Sequence, residues 1–242
     1  MSTRPASHPA DSVRTGSAAP RAVRVWDLPT RLFHWTLVLA IVGSIVTAKV
    51  GGNAAVWHFR LGYLVLGLLA FRLLWGLVGG YWSRFVRFVP TPGRIVRYLR
   101  GAPRADDHFD VGHNPLGALS VLGMLGLLAV QVATGLVADD EIANTGPLVR
   151  FVASETSLAA TSWHKTWGQW LNLGLVALHV AAIVFYRVAR RNNLIAPMLG
   201  GDKLLPAGVP ASGDGWRERA LAAVLAALCA AGVAWVVSLA GA

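Results

Sequence analysis

A single cysteine, Cys229, stands among 242 residues, and that scarcity excludes several chemistries at once. One thiol closes no intrachain disulfide, offers no Cys-x-x-Cys-His site for covalent haem, and builds no iron–sulfur cluster from this chain alone. Lying in an alanine-rich run, it reads as a small packing residue. Charge is scarce too: 14% of the residues are charged, where soluble domains carry about 25%. Acidic groups are the rarer kind, 12 against 22 Lys and Arg, for a net charge of +10. A nucleic-acid partner is not expected, because the bases flank apolar runs instead of lining a soluble face among aromatic and polar residues. Near the N-terminus there is no apolar segment followed by a small-residue cleavage site, so no secretory signal is expected. Residues 1–22, rich in Ala, Arg, Ser and Pro, read as a disordered cytoplasmic tail in which His8 has no role.

What fills the chain instead is apolar, at 55%. Runs of about 20 residues with few charges fall at 33–49, 57–79, 114–137, 165–186 and 219–240. The expected fold is an all-α integral membrane protein, a four-helix transmembrane bundle with a fifth, C-terminal transmembrane helix. Residues 23–200 form the main transmembrane domain, and 201–242 a linker with the last helix. Seventeen of the 22 basic residues lie before the first span, between the second and third, or between the fourth and fifth. The intervening connections hold Lys49 on one and Asp139, Asp140, Glu141, Arg150 and Glu155 on the other. The positive-inside rule then puts the N-terminus in the cytoplasm and the C-terminus outside. Pro90-Thr91-Pro92-Gly93 marks a turn, followed by a short interfacial helix over 94–100. The segment from Asp139 to Ser162 reads as a long, acidic outer loop.

Ionisable residues inside membrane spans are costly and mark function. His164 and His179 share one apolar run. Their fifteen-residue spacing separates them by about 22 Å along a straight helix and turns them by roughly 60° around it. One helix thus carries a histidine near each face of a hydrocarbon core about 30 Å thick. His34 opens the first span and His58 the second. With alternating span directions, depths match in two pairs, His34 with His179 near the cytoplasm and His58 with His164 near the outside. Each pair is suited to ligate one haem iron axially through neutral imidazole nitrogens, giving two b haems. Gly62 and Gly168 each follow a histidine by four residues, on the same helical face, where a missing side chain admits a flat macrocycle. Arg72 lies fourteen residues after His58, roughly 21 Å deeper, beside the cytoplasmic pair, where a haem propionate is a fitting partner.

Plainer readings stand beside these. A histidine at a span end serves as polar decoration, and glycines in membrane helices serve close packing. His113, beside Pro115 at the start of the third span, either anchors that helix or donates to a haem propionate or a quinone carbonyl. His108, among Asp106, Asp107 and Asp110, reads as a solvated loop residue, and Asp27 with Arg31 as a local ion pair. Trp26, Trp163 and Trp167 read as interfacial anchors or haem contacts.

Phe33-His34-Trp35, Trp57-His58 with Gly62 and Arg72, and Trp163-His164 through Leu178-His179 resemble the bacterial cytochrome b561 family. Trp26-Asp27-Leu28-Pro29-Thr30-Arg31 and Gly112-His113-Asn114-Pro115-Leu116-Gly117 resemble its branch of b-type cytochrome subunits associated with nickel–iron hydrogenases. The resemblance covers about residues 24–200. It implies a four-helix di-haem core with His34, His58, His164 and His179 as iron ligands, in the cytoplasmic (inner) membrane of a bacterium. It also implies electron transfer between quinone and a redox partner. Some members carry a slightly shorter spacing in the fourth helix, and the fifth span is extra to the minimal core.

The leading expectation is a transmembrane electron conduit between the quinone pool and an external partner, a c-type cytochrome or a hydrogenase-like subunit. Two axial histidines leave no open iron position, which favours outer-sphere transfer over oxygen binding. An acidic outer loop would steer a basic partner. The alternative is an enzyme that oxidises superoxide and reduces quinone, for which Lys49, Arg60 and Lys165 are the available outer bases. A haem-free membrane anchor is the third reading.

Overall fold

The computed structural model describes residues 19–104, 107–142 and 144–241. The tail expected over 1–22 lies outside the described residues as far as residue 18, as does Asp106. Its last two residues contradict that reading, because Arg21–Arg24 form strand β1. Then come α1 (Leu28–Val50), α2 (Ala55–Val78), α3 (Phe85–Phe88), α4 (Pro92–Leu99), α5 (Pro115–Leu136), α6 (Ser154–Trp163) and α7 (Gln169–Val188). The chain ends with α8 (Ile195–Gly200), strand β2 (Asp202–Leu205) and α9 (Trp216–Ser238). Five helical segments are long and apolar enough to cross a membrane: Leu28–Val50, Gly52–Val78, Pro115–Leu136, Ser154–Val188 and Trp216–Ser238. The all-α multi-pass fold is as expected.

Helix starts follow local chemistry. Asp27 caps α1 by accepting from Thr30 N at 2.8 Å, with Pro29 in the first turn. Asn114 caps α5 through Gly117 N at 2.8 Å, ahead of Pro115. Thr91 and Pro92 open α4, the short helix expected after the proline turn.

The fourth span departs from expectation. Its helix begins at Ser154, inside the segment read as loop, and runs 35 residues to Val188. Polar residues misled the reading, since polarity at an interface does not end a helix. Ser157 Oγ donates to Val137 O at 2.8 Å and Thr161 Oγ1 to Asp139 O at 3.0 Å, binding α6 to the loop before it. Between α6 and α7, His164–Gly168 are wound as a π turn. Such a turn accommodates one extra residue. The fifteen-residue histidine spacing then acts like fourteen, and the offset changes from roughly 60° to roughly 40° in the opposite sense.

Helix α2 is the centre of the bundle, packed against α1, α5 and α9, while α7 packs on α5. Phe33, Leu37, Val65, Leu69, Trp75 and Leu128 form the main core, to which α9 adds Ala222 and Cys229. α7 has no buried residue, as suits a helix facing lipid or a cofactor space. A second core closes the end that carries the basic connections. There β1 pairs antiparallel with β2, Arg21 opposite Leu205 and Arg24 opposite Asp202. Val23, Val25, Trp26, Trp82, Val111, Leu205 and Val209 pack beneath the pair.

Candidate functional site

The four span histidines meet in two pairs. At the end carrying the basic connections, His34 on α1 and His179 on α7 have ring centroids 6.5 Å apart and planes at 56°. At the other end, His58 on α2 and His164 in the π turn are 6.0 Å apart at 87°. Imidazole–metal bonds are about 2 Å long, so two rings on one ion have centroids about 6 Å apart. Both pairs fit that requirement.

The His58 and His164 rings are held by their Nδ1 atoms. His58 Nδ1 donates to Ser44 O at 2.9 Å, with Ser44 Oγ 3.0 Å away. His164 Nδ1 donates to Gln131 O at 2.9 Å, with Thr134 Oγ1 at 3.3 Å. A carbonyl partner fixes the proton on Nδ1 and leaves Nε2 as the free ligand atom. α5 comes close here because residue 135 is glycine; a Cβ on it would lie 3.0 Å from His164 Cε1. A cavity of about 810 Å³ opens between the rings. Gly62, Lys49, Lys165, Gln169 and Asp140 are among its lining residues.

The expected glycines divide. Gly62 borders the cavity, with open space where a Cβ would stand. Gly168 serves a different purpose from the one expected. A Cβ on it would lie 2.0 Å from Gln131 Oε1 and 3.0 Å from Trp163 Nε1, so protein already takes that space. The π turn has swung it toward α5.

At the other site Arg72 is 3% exposed, its guanidinium 4.8 Å from the Phe85 ring and 5.7 Å from Phe88. Its Nη1 is buried with no hydrogen-bond partner. His113 lies between Trp26 and Phe88, with centroids at 4.8 and 4.9 Å, and its Nδ1 is likewise buried and without a partner. Burial, with Arg72, His179 and His34 nearby, pushes its pKa down to about 3 and keeps it neutral. His34 Nδ1 and Arg31 Nε are two further buried polar atoms without partners at this end. Buried polar atoms without partners call for a ligand or a water, and an anionic oxygen suits both Arg72 and His113.

Other expectations fare differently. Asp27 does not pair with the Arg31 side chain. It is wholly buried and accepts from Trp75 Nε1 at 3.0 Å and Ser83 Oγ at 2.5 Å besides Thr30 N. Arg31 Nη1 donates to Leu199 O instead. Helix capping and a buried network win over a surface ion pair. Asp107, next to His108, is buried and bound by Arg97 Nη2 at 2.7 Å and Nε at 2.8 Å. His108 is exposed, as a solvated loop residue would be, with its ring edge-on to Trp82 at 6.0 Å. Trp26 is buried and Trp167 exposed, the latter as an interfacial anchor would be.

Three features were missed. Gln131 contacts His164 twice. Tyr98 Oη lies 2.9 Å from Tyr186 Oη, which accepts from Asn114 Nδ2 at 2.7 Å. Lys49 Nζ donates to Gln169 Oε1 at 3.3 Å, across the cavity mouth. Each joins residues far apart in sequence, where only the mid-span polarity of Gln131 could have served as a signal.

A profile of the family described as Prokaryotic cytochrome b561 matches residues 25–201. The chain is 28% identical to the "Probable Ni/Fe-hydrogenase B-type cytochrome subunit" of Cupriavidus necator, over 75% of this chain and 86% of that protein. It is 27% identical to the protein of that name from Azotobacter vinelandii, over 74% of this chain and 88% of the relative. It is 24% identical to the "Probable Ni/Fe-hydrogenase 1 B-type cytochrome subunit" of Escherichia coli K12, over 73% and 88% respectively. No solved structure matches the chain.

Proposed function

The chain belongs to the prokaryotic cytochrome b561 family, and from that premise we propose that it carries two b haems, one on each histidine pair, and passes electrons between quinone and a protein partner at the outer face. A membrane b-type cytochrome in electron transfer is the family's role. The observation that carries the finer reading is the pair of centroid separations, 6.5 Å for His34–His179 and 6.0 Å for His58–His164. A bound haem supplies one-electron exchange at its iron. The residues of this chain do the rest. Ser44 O and Gln131 O hold the two outer imidazoles in one tautomer. Arg72 offers a guanidinium with one unpartnered nitrogen, Nη1, and His113 a neutral nitrogen, to an anionic group at the inner site. The relatives' names favour a hydrogenase-like redox partner; a periplasmic c-type cytochrome is the other candidate.

The test is haem content followed by substitution. Purified protein should contain two non-covalent b haems per chain, released by acid solvent. His34→Ala and His179→Ala should remove one potentiometric component, His58→Ala and His164→Ala the other. One haem per chain, or one component lost from both His34→Ala and His58→Ala, would refute the pairing.

A second reading has one observation in its favour. Lys49 and Lys165 line the outer cavity. The Asp139 and Asp140 carboxylates cap turns by accepting from Glu141 N, Ile142 N and Asn144 N. An anionic substrate would find cations there: two superoxide ions give up one electron each, forming two O₂, and one quinone takes both electrons with two protons. Quinone reduction driven by superoxide without an added protein partner would select this reading over the first.

A further inference from the structure

A π turn displaces main-chain carbonyls from their usual helical donors, and at membrane depth a displaced carbonyl needs another donor. His164 O, at the start of the turn, accepts from the Gln131 side chain, Nε2 to O at 3.0 Å. The Gln131 main-chain carbonyl in turn accepts from His164 Nδ1 at 2.9 Å. One residue of α5 thus grips both the backbone and the ring of His164. Gly168, the last residue of the turn, lets the amide in. Gln131 Oε1 is buried with no partner. The orientation of the amide is therefore set by its bond to His164 O. Thr134, one turn further along α5, is already committed, its Oγ1 lying 2.9 Å from both Val130 O and Gln131 O.

We infer that Gln131 is a positioning residue: its side-chain amide holds the π turn wound, and the turn sets the angle at which the His164 ring faces His58. The inference rests on the reading of this pair as axial ligands. The ring planes now cross at 87°. The angle between axial imidazole planes governs the g anisotropy of a ferric low-spin haem, and crossed rings give a larger maximum g value than parallel ones. Gln131 therefore sets a spectroscopic property of one haem while touching only its ligand.

The experiment uses the purified full-length protein with its haems, and electron paramagnetic resonance with redox titration as readouts. Gln131→Met keeps the length and apolar volume of the side chain and loses the donor. Gly168→Ala keeps the donor and pushes it aside. Both variants should move the maximum g value and the midpoint potential of one haem, the one that His164→Ala removes, and leave the other haem unchanged. Gln131→Asn, a donor on a shorter arm, should move the signal in the same sense by less, and it serves if Gln131→Met does not accumulate. Unchanged spectra, equal displacement of both signals, or loss of both haems from Gln131→Asn and Gly168→Ala would overturn the inference. If His164→Ala removes neither haem, the ligand assignment falls first. If it removes one while Gln131→Met leaves that signal in place, the positioning inference alone falls.

Discussion

At the residue scale the decisive quantity is the cost of a polar atom without a partner. Arg72 presents a buried, unpartnered Nη1 beside the His34–His179 pair, with two aromatic rings against the guanidinium and the buried Asp27 carboxylate nearby. A positive charge there favours the reduced form of a neighbouring one-electron centre. At an effective dielectric of about 20, a unit charge roughly 12 Å away contributes about 1.4 kcal/mol, or about 60 mV for a one-electron couple. Arg72→Leu should therefore lower the midpoint of the haem removed by His34→Ala by roughly 60 mV, with a smaller change at the other. Redox titration in purified protein checks this. Equal shifts at both haems, or no shift with both retained, would mean that Arg72 only packs against Phe85 and Phe88. The four histidines were readable in the sequence because few ionisable residues interrupt the apolar runs, and depth alone sorts them. The partner of Asp27 was not readable. Its contacts with Trp75 and Ser83 join positions 48 and 56 residues away, and local proximity had pointed to Arg31.

At the scale of elements, hydropathy located all five spans but not how the fourth is wound. Nothing in the composition of His164-Lys165-Thr166-Trp167-Gly168 announces a π turn. It depends on Gln131 and on the room left at Gly168, both facts of packing. The interfacial helix α4 shows the same division. Its start was written in Thr91 and Pro92, whereas its anchor was not. Asp107 grips Arg97 at 2.7 Å and Arg94 at 3.4 Å and accepts from Arg104 N at 2.9 Å. Hydrogen bonding from Arg97, reinforced by Arg104 N and the nearby charges, holds its carboxyl well below the usual carboxylate range. A carboxylate depressed in the folded state stabilises above its unfolded pKa of about 3.9 and loses that contribution as pH falls through the folded value. α4 and the following turn should therefore stay anchored at neutral pH and loosen below about pH 4. Hydrogen exchange over residues 92–111, corrected for intrinsic rates, should show protection falling on acidification in the parent protein. In Asp107→Asn it should already be low at pH 7, with the acid-dependent loss gone. Full protection in that variant at neutral pH would show that the arginines have no anchoring role.

At the scale of the whole molecule, charge and haem placement make one argument. The basic connections, the β1–β2 pair and the second core gather at the end that holds His34 and His179. The opposite end carries Asp139, Asp140, Glu141 and Glu155, of which Asp140 lines the His58–His164 cavity together with Lys49 and Lys165. Basic residues near span ends are retained on the cytoplasmic side during insertion. With five crossings, the rule predicts that the last helix finishes on the far side, with the C-terminus in the periplasm and the His58–His164 site toward any outer partner. Alkaline phosphatase fused after Ala242 should be active, and the same enzyme inserted at Gly101, between α4 and α5, should be inactive. Green fluorescent protein at these two positions should show the reverse. The converse pattern would invert the molecule. The His34–His179 site would then face outward, and a partner would meet a surface of arginines instead of the Asp139–Glu155 segment. Each such arrangement selects a partner of opposite charge, so fusion activities fix the orientation and salt dependence of electron transfer then tests the docking face. With the C-terminus outside, transfer from a basic partner should slow as ionic strength rises.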